Sequence, residues 1–448
     1  MQIVQDVAAA MQALFGRTMD DLGRETGCIQ RERKFCGSGL LRTLVLTLLQ
    51  HPAAKDRDYQ TVAAQLGIDV TEEAVKHRFN SGLVAFLEAA LEHVLTTVLT
   101  TQASTAPLFG KFIQVLIGDS TTITLPDELA DEFPGCGGKG DSGKAALKIQ
   151  VLWDLVSGKI VKLLIEPGRA ADLKSPIAAE PLPAGALSIF DLGYFSLERF
   201  REVEGQGAYW ISRLLHGTQV FDVSGKRLAL LAFLEQQASS GVVDVPVIVG
   251  EKEQLSCRLL ALRVPPEVAA RRRQRIIKNA RDHGRQASQE YLAMQDWTIY
   301  LTNAKPALLT WKEVVVLYRA RWQIELLFKL WKSHNRLANR EITASPERQM
   351  AVFYAKLIGV IVQHWILLTA TWTNDRRSLR KAAHLLRDWI IILTEALDDL
   401  ERLCLQLDRL TKAIGKTAQV NCRRKHPSLY QLLENPELLD YKLENTAA

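Results

Sequence analysis

Apolar residues recur at helical spacing through the first hundred positions, most clearly in GLLRTLVLTLLQH and SGLVAFLEAALEHVLTTVL. Between these runs, DYQTVAAQLGIDVTEEAVKHRF predicts a helix, a turn at Gly67 and a second helix capped by Thr71, with Glu72 and Glu73 in its first turn. It reads equally as a helical hairpin or as a helix-turn-helix presenting Lys76, His77 and Arg78. The texture changes near Phe109. KFIQVLIGDSTTITLP is apolar and β-branched, and predicts a strand ending around Asp119. After the glycine-rich EFPGCGGKGDSGK, KIQVLWDL and KIVKLLIEPG predict two strands joined by a turn at Ser157-Gly158. A short helical stretch, AADLKSPIAAE, leads to a strand, ALSIF, that ends at Asp191. SLERFREVEG then reads as a helix capped by Ser196. A hairpin leading into a crossover implies a mixed sheet covered by helices.

Residues 214 to about 263 hold short β-like runs such as VVDVPVIVG and LSCRLLALRVP. A basic helix follows, then a strand, WTIYLTN, from Trp297. TWKEVVVLYRARWQIELLFKLWKSHNRL reads as one long helix, and the remainder is helical in pattern. The most apolar run, LIGVIVQHWILLTATW (357–372), is short for a membrane span and contains Gln363 and His364. It predicts a buried helix. No internal repeat is present.

Composition narrows the class. Of 448 residues, 47% are hydrophobic and 24% charged, which excludes a largely disordered chain and leaves ample material for a core. None of the six cysteines stands at CxxC spacing, so a zinc ribbon or thioredoxin-type site is not signalled. Reduced thiols and an N-terminus lacking a basic n-region point to a cytoplasmic protein without a signal peptide. The net charge of +6 is mild, but RRRQRIIKNARDHGR (271–285) concentrates seven Lys/Arg against one acid. Such a block neutralises phosphates or forms a solvated helix face.

On the long helix, Tyr318, Arg321, Glu325, Lys329 and Lys332 share one narrow stripe at 100° per residue. The remaining circumference is mainly apolar, so the stripe is either a surface row of ion pairs or a buried functional line. Asp119 and Asp191, each after an apolar run, would reach the sheet's rim; Asp also simply favours turns. Together with Glu325 they make a triple-carboxylate site, whose hard oxygen donors suit Mg²⁺ or Mn²⁺. Two such ions support phosphodiester displacement. GKGDSGKA, from Gly138, nearly matches a phosphate-binding loop. However, Ala145 replaces the needed Ser/Thr and the loop leads into a strand. No HExxH or GxSxG motif is present.

The spacing Tyr318–x2–Arg321–x3–Glu325–x6–Lys332 resembles the Y-(2)-R-(3)-E-(6)-K signature of a group of bacterial insertion-sequence transposases, DDE enzymes with a ribonuclease H-like core. IGDST around Asp119, FDLGYFS around Asp191 and YWISR ending at Arg213 are similar to the segments expected beside it. The resemblance covers roughly residues 30 to 370 in family order. It implies an α/β ribonuclease H-like core, a mixed sheet flanked by helices, in two parts (109–213 and 297–372). A mostly β insertion ending in a basic helix (214–296) would interrupt it, between a helical N-terminal region (1–108) that either binds the element ends or braces the core and a helical C-terminal region (373–448) suited to dimerisation. It also implies that Asp119, Asp191 and Glu325 hold two Mg²⁺ ions, with Mn²⁺ able to substitute. The expected chemistry is cut-and-paste transposition through a hairpin at the terminal inverted repeats. Tyr318, Arg321 and Lys332 would contact DNA phosphates near the cut, Lys329 on the same stripe is a further DNA-binding candidate, and Arg213 would reach DNA or a triad carboxylate. Lys278, Arg281 and Arg285 would touch the backbone without reading sequence. Trp297 would stack on a flipped base or serve as a core residue, and Trp322 is expected to pack.

The partners so implied are double-stranded DNA, both element ends and target, and a second copy of the chain in a homodimer that joins two ends near the nucleoid. No membrane partner is expected. Two other readings remain at this level. One is a non-catalytic DNA-binding protein descended from a transposase, which the intact acids oppose. The other is a ribonuclease H-like nuclease that cuts without joining.

Overall fold

The computed structural model describes residues 2–101, 103–137, 144–237, 241–339, 344–372, 376–423 and 426–439. The N-terminal region is helical: α1 (Gln2–Leu14), α2 (Arg17–Glu25), α3 (Gly37–Gln50), α4 (Asp56–Gln65), α5 (Glu72–Lys76) and α6 (Ser81–Thr96). Thr71 caps α5 by accepting from Ala74 N, and Gly67 turns the chain at φ 74°. The would-be recognition helix α5 is only five residues long. Lys76 and His77 both lie against Glu73.

Among the described residues one nine-stranded sheet runs in the order β3-β2-β1-β4-β5-β9-β8-β7-β6. Its first half comprises β1 (Val115–Thr124), β2 (Ala146–Asp154), β3 (Ile160–Pro167), β4 (Leu187–Phe190) and β5 (Tyr209–Arg213). β1, β2 and β3 are antiparallel neighbours, while β1, β4 and β5 run parallel. α7 (Leu197–Gly205) makes the β4–β5 crossover, capped by Ser196. This is the ribonuclease H-like order, and the chain has the α/β fold expected of it.

The second half joins β6 (Val220–Phe221), β7 (Val242–Val249), β8 (Leu255–Arg263) and β9 (Trp297–Thr302) to the same sheet. The insertion is therefore no separate β module. Its strands extend the core sheet because β9 pairs with β5 on one side and β8 on the other. Nor is it mostly β. It also holds α8 (Leu230–Gln237), the 17-residue α9 (Pro266–Asp282) and α10 (Gln289–Ala293).

Period-two alternation assigns the two faces. Val115 and Ile117 on β1, with Ile149, Val151 and Trp153 on β2, join the larger core. Leu116 and Leu152 face the other way, with Phe200 and Trp210. The larger core takes in α11 (Trp311–Ala320), α12 (Trp322–Lys329), α13 (Pro346–Thr371), α14 (Leu379–Ala396), α15 (Leu400–Thr417) and α16 (Leu429–Glu434). α13 is the one described helix long and apolar enough to cross a membrane, yet 94% of its apolar window is buried inside the protein. The β2–β3 turn docks onto it: the Gly158 carbonyl takes the Trp153 Nε1 hydrogen bond (2.9 Å) and lies 2.7 Å from His364 Nε2.

Three local expectations change. β1 runs five residues past Asp119, because antiparallel pairing with β2 persists to Thr124↔Ala146. The stretch AADLKSPIAAE contributes only a 3₁₀ turn at Asp172–Lys174. The single long helix is interrupted at Arg321, where Arg321 N bonds to Tyr318 O and Ile324 N to Arg321 O, and it ends in a π turn, Leu330–His334. Most of the phosphate-loop-like GKGDSGKA lies outside the described residues, although Ala145 does lead into β2.

Gly118 is fixed by a close approach. A Cβ there would sit 1.9 Å from Phe190 Cε1. Gly118→Val should destabilise the protein by about 1–3 kcal/mol in urea unfolding, and Phe190→Leu should recover part of the loss. Equal stability of Gly118→Val and wild type would refute the contact.

Candidate active site

The parallel register of β1 and β4 sets the site. Their last paired residues are Gly118 and Phe190, so Asp119 and Asp191 are the next residue on each chain. Asp119 stays within β1, opposite Val151. Asp191 leaves its strand at once and starts a 3₁₀ turn, Leu192–Tyr194, with Tyr194 N bonded to Asp191 O. Glu325 arrives from the first turn of α12.

These three carboxylates meet around one cation. Arg321 Nη1 lies 3.1 Å from Asp119 Oδ2, Nη2 lies 2.6 Å from Glu325 Oε1, and Nε lies 3.9 Å from Asp191 Oδ1. The Arg321 side chain is only 13% exposed. Its planar, permanently charged fork can address several oxygens at once. Burial alone would lower the Arg321 pKa, but Asp191, Tyr318, Glu325 and Asp119 more than offset it, and the pKa is raised. Burial pushes the Asp119 carboxyl up to about 6, against the Ser120 N–H bond (2.8 Å) and Arg321; Asp191 and Glu325 push the same way as burial.

The rest of the predicted stripe separates. Tyr318 is buried edge-on to Tyr300 (5.1 Å), and its hydroxyl meets no hydrogen-bond partner of ordinary geometry. Burial raises that hydroxyl to about 12. Lys332, in the π turn, donates to Thr122 O on β1 (2.9 Å), and burial lowers its pKa. Lys329 is exposed. Arg213 ends β5 opposite Tyr300, and among the described residues no ion pair joins it to the three acids. Lys278, Arg281 and Arg285 are exposed on and just beyond α9, and among the described residues no ion pair joins them to the acids. α9 is held to β9 by Arg272, which donates to Thr298 Oγ1 (3.0 Å), and by Arg273 with Asp296 at the foot of the strand.

The core alternative holds for Trp297, whereas Trp322 departs from its expected packing. Trp297 is 3% exposed in the second core beneath Arg263, so its ring belongs to packing. Trp322, expected to pack, is 55% exposed, and Leu326 one turn on is 45% exposed. α12 buries only the face bearing Ile324, Leu327 and Phe328, and this leaves Trp322 on the rim beside Glu325.

A polar cluster on the opposite face of β1 had no expected role. Asp172 Oδ1 accepts from Ser120 Oγ (2.9 Å) and Lys148 Nζ (3.0 Å). Tyr194 donates to Gln150, which donates to Glu166 (2.9 Å). Tyr194 thus ties the turn that follows Asp191 to β2. Its signal was Lys148 and Gln150 at alternate positions of a strand buried throughout.

A family model described as a transposase DDE domain matches residues 110–358, more than half of the chain. The chain belongs to the DDE transposases. It is 26% identical over 446 residues to the transposase of insertion sequence element IS231F from Bacillus thuringiensis subsp. israelensis, covering 93% of this chain and 92% of the relative. With the transposase of IS1151 from Clostridium perfringens it shares 25% over 320 residues, 67% of each. With the putative transposase InsL of IS186A from Escherichia coli (strain K12) it shares 24% over 374 residues, 81% of this chain and 94% of the relative. As a transposase of the bacterial insertion-sequence type, it is an enzyme of DNA transposition. The family generally uses divalent metal ions.

The donor set of this transposase fits such ions in chemistry, since three carboxylates converge on a point of positive charge. Among the described residues, however, no three His, Cys, Asp or Glu side chains approach closely enough to share a metal. The Arg321 guanidinium fills the space between them. Arg321→Leu should therefore lower the melting temperature in EDTA, because it leaves buried acids unpaired. Millimolar Mg²⁺ should stabilise the variant more than wild type. An equal shift for both proteins would show that the acids do not form a cation site.

The raised Asp119 pKa has a definite sign. Below about pH 4 the carboxyl is protonated in both folded and unfolded protein and costs nothing. As pH rises through about 6 the cost of ionising it in place develops fully. In EDTA, the unfolding free energy of wild type relative to Asp119→Asn should fall between pH 4 and 6 and then level. A flat difference across that range would remove burial as the cause.

Proposed function

We propose that Asp119, Asp191 and Glu325 are the catalytic acids of a cut-and-paste transposase that opens the element's ends by hydrolysis and rejoins them through a hairpin intermediate. The observation that carries this reading is the convergence of the three acids, from β1, the end of β4 and α12, on one guanidinium. The three carboxylates would hold two Mg²⁺ ions, or Mn²⁺ in their place. These ions would supply an activated attacking oxygen and take up charge on the leaving oxygen.

The protein's own groups do the remaining work. Arg321, released from the acids, would turn its fork to a DNA phosphate, as would Lys332 and Lys329. The unpartnered Tyr318 hydroxyl would donate to a phosphate oxygen. Trp322, not Trp297, would take the stacking role, because an exposed ring beside Glu325 can receive an unpaired base. Arg213, Lys278, Arg281 and Arg285 would steady the duplex by its backbone. The N-terminal helices would engage the terminal inverted repeats and the C-terminal helices would pair two copies, so that a homodimer holds both ends for joining.

Glu325→Gln removes one metal-binding charge while keeping the side chain's shape. With DNA carrying the gene's own flanks and Mg²⁺, wild type should nick at the element boundary and yield hairpins resolved on a denaturing gel. Glu325→Gln should bind the same DNA within about threefold of wild type and cleave at least 10³-fold more slowly, and EDTA should silence wild type. Near-normal cleavage by the variant would sink the assignment.

A further inference from the structure

The C-terminal region gathers a second concentration of positive charge outside the proposed site. RRSLRKAAHLLR (376–387) holds five Lys/Arg, one histidine and no acid. Arg377 faces inward, its guanidinium over the rings of Trp372 (3.8 Å) and Tyr430 (5.1 Å). Lys381 is tied to Gln419 O (2.8 Å). Arg376 precedes the helix, and Arg380, His384 and Arg387 stand at i, i+4 and i+7 on one face of α14.

That face meets the π turn. The His334 and His384 rings lie edge-on at 4.3 Å, and Arg387 Nη2 donates to His334 O (2.8 Å). Arg336, two residues further on, is exposed and held at φ 50°, with its carbonyl fixed by Lys356 Nζ (2.9 Å). Among the described residues no ion pair neutralises Arg336, Arg380 or Arg387, and Arg387 Nε is buried without a partner. Asp388 is the acid that acts on Arg387, while Arg336 acts against it. Burial, and after it Arg387, His384 and Arg380, hold the His334 ring down at about 4.

Such an arrangement works against the isolated fold. Arg380 and Lys381 occupy the first turn of α14, the positive end of the helix dipole, and that turn carries no acid. A helix tuned for stability would show the reverse. An anionic ligand relieves both the dipole mismatch and the mutual repulsion. From position 380 to 387 the cationic row spans about 10 Å, the axial rise of about three nucleotides of one strand.

We propose that the face formed by Arg336, Arg380, His384 and Arg387 binds the phosphate backbone of duplex DNA. The claim rests on the family's action on DNA and not on the roles given to the three acids. The π turn joins it to the candidate site, since Lys332 in the same turn reaches β1. The duplex could be an element end or the target, because both present the same phosphates.

The test uses the full-length protein and the double variant Arg336→Gln/Arg380→Gln. Affinity is measured against salt in two arms: an element-end duplex alone, and an unrelated duplex offered to protein already holding element ends. The slope of log affinity on log salt should become shallower by about two, close to one per lost phosphate contact. A shallower slope in either arm supports the proposal and names the duplex. Unchanged slopes in both arms overturn it. So does an unchanged slope with loss of dimers in sedimentation, which would make the face a protein interface. Should the double variant fail to fold by circular dichroism, Arg380→Gln alone is read in the same way, with an expected change of about one.

Discussion

The candidate site depends on one shared guanidinium. Asp119, Asp191 and Glu325 come from segments far apart in sequence, and nothing in their own chemistry draws them together. Three carboxylates in a partly buried space repel one another, and each loses hydration. Arg321 resolves both problems by addressing an oxygen of each acid. It can do so because it stands where α11 passes into α12, one turn before Glu325. The chain therefore supplies a counter-charge to the three acids from its own residues. Any added cation must compete with a well-placed arginine.

Beneath that interaction lies a backbone constraint. Side chains alternate faces along a strand, so Asp119 reaches α12 only in the register that pairs Gly118 with Phe190. A slip of one residue would turn Ser120 toward α12 and Asp119 toward the Lys148–Asp172 cluster. Gly118 protects the register by leaving room for the Phe190 ring. The polar cluster on the far face anchors the same strands and holds the turn after Asp191 through Tyr194.

What the sequence shows and what it hides follows from the range of each interaction. The β2–β3 turn at Gly158, the Ser196 cap and the end of β4 at Asp191 are local, and each was legible. The strand course through Asp119 was not, because its continuation depends on β2. The joining of the insertion's strands to the core sheet was hidden for the same reason: pairing between β5, β9 and β8 leaves no mark in any one segment. The stripe from Tyr318 to Lys332 was visible as a periodicity. That Arg321 would face three acids, that Lys332 would bond to β1, and that Trp322 and not Trp297 would be exposed depended on the neighbours of each face. Helical spacing gives a direction around an axis, and only tertiary packing says which direction is inside.

The continuous sheet also bears on how the insertion can vary. β9 lies between β5, which pairs with it over three residues, and β8, which pairs over six. Most of its ladder is thus supplied by the inserted segment. A chain trimmed of that segment would present β9 as a raw edge of apolar residues with unmet amide groups, ready to recruit any other strand. Shortening the loops between the inserted strands should be tolerated, whereas excising the strands themselves would trade a folded enzyme for an aggregating one.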